Sequence, residues 1–280
     1  MELLWDLLVS PLQYQFMQRA FLAAIVVGVG CGVLGSLLIL RKLALMGDAI
    51  SHAVLPGVAI AYLLGINFFI GATITGVTTA LGIGFITEHS KIKEDSAIGI
   101  MFSAAFAIGI LIISKITTNI DLFHILFGNV LGVSRTDLVL ISILGFLVIA
   151  LTILFFKELK LSSFDPTMAQ AIGLPTDMIH YLLMLMLSFI VVASLQTVGI
   201  VLVVAMLITP GATAYLLTND LSEMMVLSGV FGLLSALVGL YLSFHLNVAS
   251  GAAIVVIATI FFIIALLFSP QEGLLANREQ

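Results

Sequence analysis

Nine stretches of this chain run apolar for 16 to 20 residues with almost no charge inside them: Phe21–Leu40, Ala49–Leu64, Phe68–Thr87, Ala97–Ile113, Leu138–Phe156, Ile179–Ser194, Val198–Leu217, Met225–Ser243 and Ala252–Ser269. That pattern constrains the fold more than any motif does. A hydrocarbon core of about 30 Å takes about 20 helical residues, or about 9–11 in a tilted strand. Backbone polar groups in lipid must be satisfied within the protein, so continuous runs of this length are helices and not barrel strands. Composition agrees: of 280 residues, 61% are hydrophobic and 9% charged, against about 45–50% and about 25% in soluble domains. The expected fold is all-α, a polytopic membrane helix bundle forming a single integral domain over residues 1–280. Pro56/Gly57 in the second segment and Thr209–Gly211 in the seventh offer places for a broken or re-entrant helix, so eight full crossings are also compatible. Leu3–Phe16, with Trp5 and Tyr14, suits an interfacial helix better than a signal peptide, because no basic region precedes it.

Basic residues orient the bundle. With the N-terminus outside and nine crossings, Arg41, Lys42, Lys91, Lys93, Lys157, Lys160 and Arg278 lie inside, while Arg19, Lys115 and Arg135 lie outside. Positive charge concentrates on the cytoplasmic side of short loops, so N-out and C-in is the expected arrangement. The inside stretch "KLSSFDPTMAQAIGLPTD" has start signals at Ser162/Ser163 and Asp165–Pro166, and stop signals at Gly173 and Pro175. It reads either as a short helix parallel to the membrane that could dock a partner, or as an ordinary capped loop. In "GVGCGVLG", Gly28 and Gly32 share a helix face and permit close approach of another helix, within the chain or between two copies.

The formal net charge of -5 is small for this length, and there is no basic patch or zinc-finger spacing; nucleic acid is excluded as a partner. The lone Cys31 cannot form an internal disulfide. Phosphate-loop, H-E-x-x-H and nucleophile-elbow motifs are missing, so this is not an enzyme, and any ATP-driven process must place hydrolysis on another chain. Eleven methionines scattered through apolar spans read as core filler.

The ionisable groups inside the apolar runs narrow the function. Asp48 and His52 stand at i and i+4 and meet on one helix face. Charge in hydrocarbon is expensive and normally faces a bundle interior, a partner or a water-filled path. A carboxylate with an imidazole suits a divalent transition metal, completed by other groups such as those of a second copy. The carboxylate could instead fix the imidazole tautomer, the pair could handle protons, or Asp48 could face a helix N-terminus while His52 is a bonded core residue. His124 and His245 are secondary candidates for a cation at the outer edge. Glu88/His89 and His180 read as boundary residues.

Three stretches, "LILRKLALMGDAISHAVLPGVAIAYLLG" at Leu38–Gly65, "DLFHILFGNVLG" at Asp121–Gly132 and "QTVGIVLVVAMLITPGATAYLL" at Gln196–Leu217, resemble the membrane permease subunits of bacterial ATP-binding-cassette importers for manganese, zinc and iron. "DLFHILFGN" is closest in wording to the manganese-type branch, with zinc and then iron as alternatives. The resemblance implies a multi-pass protein of the bacterial cell membrane that binds no permanent cofactor and carries a divalent metal ion as cargo. It implies a homodimer of permeases in the lipid bilayer, two copies of a cytoplasmic ATPase, and an extracytoplasmic metal-binding protein. It maps the metal contacts to Asp48 and His52, and a cytoplasmic coupling helix to Ser163–Gly173, with Phe164, Asp165, Pro166, Ala169 and Gly173 as its coupling residues. An ion-coupled secondary carrier and a non-transport scaffold are the readings from other classes. The former should show matched interrupted spans in two halves, and no convincing internal repeat is present.

Overall fold

The computed structural model describes residues 10–115 and 130–269. Among these, twelve α-helices follow one another: α1 (Gln15–Leu40), α2 (Ala44–Ala53), α3 (Leu55–Leu64), α4 (Phe68–His89), α5 (Glu94–Ile113), α6 (Arg135–Leu154), α7 (Phe156–Phe164), α8 (Pro166–Ala171), α9 (Thr176–Val198), α10 (Ile200–Tyr215), α11 (Leu221–Leu246) and α12 (Ser250–Phe268). Short 3-10 turns occupy Ser10–Gln13 and Val130–Gly132. The described residues contain no strand. Polar residues start several helices: Asn67 accepts from Phe69 N–H, Ser134 from Asp137 N–H, and Asp220 from Ser222 N–H. Each satisfies an amide that the first turn leaves without an intrahelical partner. Gly65, at φ 66°, ends α3 in the left-handed conformation.

Eight helical spans are long and apolar enough to cross a membrane among the described residues. The second is Ala44–Leu64, which comprises α2 and α3 and is interrupted at Val54. It begins five residues earlier than its apolar run, so Asp48 lies inside the span and not at its edge. The remaining apolar segment, the seventh in chain order, is α10, only 16 residues long. Its break is not at the Thr209–Gly211 stretch, since α10 continues through Pro210. The chain instead turns at Gly199, whose φ of 81° separates α9 from α10 with a single residue. Both ends of α10 meet the ends of α12: a Cβ on Gly251 would contact Leu202, and the Ser269 hydroxyl donates to Leu216 O. The two helices therefore run parallel, and α10 extends about 24 Å at about 1.5 Å per residue.

Helix α1 is the axis of the bundle. Fifteen of its 26 residues are buried, among them Met17, Leu34 and Leu37 at 0% exposure. It packs antiparallel to α11, matching Gly28 with Gly232 and Gly32 with Ser228, and parallel to α10 at Gly35 and Gly211. A Cβ at Gly28 would lie 2.7 Å from Gly232 O, and one at Gly32 2.5 Å from Ser228 O. Ser228 donates its hydroxyl to Gly32 O at 2.5 Å. The Gly28/Gly32 face is thus filled within the chain. Lipid gives helices no hydrophobic reason to associate, so close backbone contact and interhelical hydrogen bonds hold them.

Replacing Gly32 by Ala should cost about 1–3 kcal/mol through overpacking. A Cβ on Gly99 of α5 would meet no neighbouring atom within 4 Å, and Gly99→Ala should leave stability unchanged or raise it by up to about 1 kcal/mol. Thermal unfolding of the two variants in detergent checks the contrast; an equal loss in both would refute the seam.

Candidate functional site

The turn from α1 into α2 is tight. Leu43 N–H bonds Leu38 O at 2.8 Å and Lys42 N–H bonds Ile39 O at 3.1 Å, with Lys42 at φ 61°. These are the paired bonds of a Schellman ending, here with a lysine at the left-handed position usually given to glycine. Leu38 and Leu43, both buried, complete it. The chain therefore enters α2 on a fixed heading, with Asp48 in its second turn and His52 in its last.

Asp48 Oδ1 lies 3.5 Å from His52 Nε2, the carboxylate being 45% exposed and the imidazole 26%. This is an electrostatic contact, longer than a well-formed hydrogen bond. The His52 ring meets the edges of Phe102 and Phe106 of α5, each with centroids 5.5 Å away. Its Nδ1 is buried without a hydrogen-bond partner. An imidazole with its N–H toward the carboxylate keeps a free lone pair on the other nitrogen.

One residue beyond α2 the helix breaks. Pro56 has no N–H to return to the carbonyl four residues back, which is that of His52. Neighbours are shaped to the break. A Cβ on Gly109 of α5 would lie 2.8 Å from Leu55 Cβ and 3.0 Å from Pro56 N, and Gly57 abuts Gly71 of α4 backbone to backbone. The Thr75 hydroxyl lies 3.4 Å from Val54 O and 3.0 Å from Gly71 O.

Asp48 and His52 are the sequence candidates that the fold joins. His245 is at the other end of the bundle, against Phe244 with centroids 5.4 Å apart, and Phe244 in turn meets Tyr14 just before α1. His124 lies outside the described residues. No group of three or more His, Cys, Asp or Glu is arranged to hold a metal among the described residues. The pair presents a carboxylate oxygen and an imidazole nitrogen, donor types that divalent transition metals accept.

The stretch Ser163–Gly173 forms the end of α7 and the short α8. Asp165 caps α8, accepting from Met168 N–H at 2.8 Å and from the Thr167 hydroxyl at 2.6 Å. These bonds hold its carboxyl below the usual range. The cap is therefore present above the ordinary carboxylate pKa, and is lost only as pH falls through the depressed value. Pro166 takes the first helical position. Ala169 is buried, while Phe164, Met168 and Ile172 are 54%, 52% and 57% exposed, an apolar face without cover among the described residues. Ser162 and Ser163 do not start this helix; they belong to α7 and receive Arg41, with Nε 2.8 Å from Ser163 Oγ and Nη2 2.6 Å from Ser162 Oγ.

Sequence reasoning uses Arg41 only as one of the inside charges that orient the bundle, and passes over the two phenylalanines. The i, i+4 spacing of Phe102 and Phe106 is a usable signal for a shared face. Nothing local to Arg41 names partners more than 120 positions away. The boundary group is also better connected than expected: Tyr181 donates to Glu88 at 2.5 Å, and His180 Nε2 lies 3.9 Å from Glu94 Oε1.

A family model described as the ABC 3 transport family matches residues 13–269. The chain is 61% identical over 267 residues to the manganese transport system membrane protein MntC of Halalkalibacterium halodurans, covering 95% of this chain and 91% of that protein. It is 43% identical over 269 residues to the chelated iron transport system membrane protein YfeD of Yersinia pestis, covering 96% and 91%. A chain in the solved structure of PsaBC from Streptococcus pneumoniae in complex with Fab is 45% identical, with a TM-score of 0.85 over 96% of this chain and 97% of that one.

Gly173 has φ 84° and open space around it. Gly173→Ala should therefore cost about 1 kcal/mol from backbone conformation alone. Faster amide exchange over residues 166–173, with the spans unchanged, is the expected reading.

Proposed function

We propose that this chain, which belongs to the ABC 3 transport family, is the permease through which an ATP-driven importer passes a divalent transition metal, manganese first, into the cytoplasm. Permeases of this family are non-catalytic membrane subunits, and ATP hydrolysis belongs to a separate partner chain. The observation that carries the reading is the Asp48–His52 pair, set on a helix that breaks one residue beyond it. The 61% identity to a manganese transport protein over nearly the whole chain favours manganese, and the 43% identity to a chelated-iron protein makes iron a second reading. Zinc, which accepts the same two ligand types, is a third.

In this reading the chain is one integral permease domain that works as a homodimer. Two copies of a cytoplasmic ATPase bind it from below, and an extracytoplasmic binding protein delivers the ion from above. Each subunit contributes Asp48 and His52 to the metal passage, and partial exposure of both side chains supports a site completed outside one chain. His124 and His245 would meet a cation only near its entry. The arrangement N-out and C-in is supported by the seven-to-three excess of basic residues on the proposed inner side. The coupling helix is assigned to the α7–α8 corner, where Asp165, Pro166, Ala169 and Gly173 shape the turn and Phe164 stands exposed beside Met168 and Ile172 as an apolar face for the ATPase.

Vesicles containing the permease, its ATPase and its binding protein should accumulate manganese only with ATP. Asp48→Ala and His52→Ala should assemble normally and lower uptake by about tenfold or more, a range typical of damaged metal sites. Uptake without the ATPase, or wild-type kinetics in both variants, would overturn the reading. Phe164→Ser with Met168→Ser should weaken ATPase association or separate hydrolysis from uptake.

A further inference from the structure

The buried ionisable groups near Arg41 are not needed to explain the Asp48–His52 site, yet they converge. The guanidinium donates to both Ser162 and Ser163 of α7. Each serine hydroxyl in turn points at Leu159 O, at 3.3 Å and 2.6 Å, which leaves its lone pairs free for the arginine. Burial pushes the Arg41 guanidinium down from its usual range, and Glu94 at the start of α5 partly offsets this. Glu94 Oε1 and His180 Nε2 are both buried without hydrogen-bond partners. The cation is thus fastened to two neutral hydroxyls across the chain, while the carboxylate acts on it from further off.

What Arg41 connects is informative. It caps the C-terminus of α1, and two residues later Leu43 caps the start of α2 through the tight turn described above. Ser163 is two residues before Asp165, the cap of α8. A rigid arm thus reaches α8 on one side and Asp48–His52 on the other. The second fastening of α7 is different: Lys160 Nζ lies 2.8 Å from Asp220 Oδ2, with the two side chains 38% and 45% exposed. That ion pair is well solvated and leads to α11, not to α2.

We propose that Arg41 is a positioning residue that carries displacement of the α7–α8 corner into α2, so that the corner and the Asp48–His52 helix move together. The functional half of this statement rests on the reading given above; the mechanical half does not.

The test has two arms. In the permease alone, in lipid nanodiscs, amide exchange is compared for Arg41→Met, for Ser162→Ala/Ser163→Ala, and for Lys160→Met. The tie requires the serine variant to speed exchange in α2, residues 44–53, as well as in its own α7. Arg41→Met should speed the same two segments, and Lys160→Met should loosen α7 only. Exchange that rises in α7 alone in the serine variant overturns the inference. In vesicles with the ATPase and binding protein, metal taken up per ATP hydrolysed should fall about tenfold in Arg41→Met, on the scale of losing charge-assisted hydrogen bonds. The fall should be equal in the serine variant and no larger in the triple variant, and Arg41→Lys should restore part of it. Losses that multiply in the triple variant overturn the inference while leaving the importer reading intact. A wild-type assembly without ATP-driven uptake would sink that reading, and the exchange arm would still decide the tie.

Discussion

Everything in this bundle depends on how closely α1 can approach α10 and α11. In water, apolar faces associate because solvent is released; in lipid that drive is gone, and only contact and hydrogen bonding remain. Gly28, Gly32 and Gly35 on α1 face Gly232, Ser228 and Gly211 so closely that most of these positions have no room for a methyl group. The seam fixes the axis of α1, and the axis fixes where Arg41 emerges. The Schellman turn at Lys42 and Leu43 then sets the heading of α2. A site on α2 therefore inherits its position from a glycine seam on the other side of the chain's first turn.

The second determinant is a local loss of helix. Pro56 has no N–H to give His52 O the bond of an unbroken helix, so Val54 N–H bonds that carbonyl instead, and the neighbouring helices meet the defect with Gly71, Gly109 and Thr75. Backbone polar groups in hydrocarbon must be satisfied within the protein, and the Thr75 hydroxyl, 3.4 Å from Val54 O, adds a polar group at the break. The break thus follows directly on the carboxylate–imidazole pair, and on the proposed importer reading both features border a polar passage.

The sequence made the class of fold and the paired site legible, because both depend on short-range periodicity: segment length for the spans, and i, i+4 spacing for Asp48 and His52. It located the seam glycines but not their partners, since Gly28 meets Gly232 across the whole length of the chain between them. It offered Thr209–Gly211 as a place for a break, whereas the chain turns at Gly199; a proline in mid-helix is tolerated here where Gly211 seats directly against Gly35. It read Ser162 and Ser163 as a helix start because serine favours that role locally. Their actual partner, Arg41, is invisible to any local rule. The start of α8 belongs to Asp165 alone.

The order of groups entering from the Arg41 end follows the cost of burying charge. The guanidinium, charged at any physiological pH, stays at the mouth and binds hydroxyls. The carboxylate comes next, two turns on and about half-exposed. Deepest of these three is His52, ninth in its span, about 12 Å along the axis from its start. Of the three, only an imidazole has an uncharged form that still offers a nitrogen lone pair, so it is the group that burial penalises least. On the proposed importer reading, that lone pair is also what a metal ion would meet, because a neutral ring offers it where a protonated one cannot. On that reading the arrangement lowers the standing cost of an empty passage while keeping a donor ready inside it. A second carboxylate in place of His52 would bind a divalent ion as well, but it would impose the full desolvation penalty whenever the passage was empty.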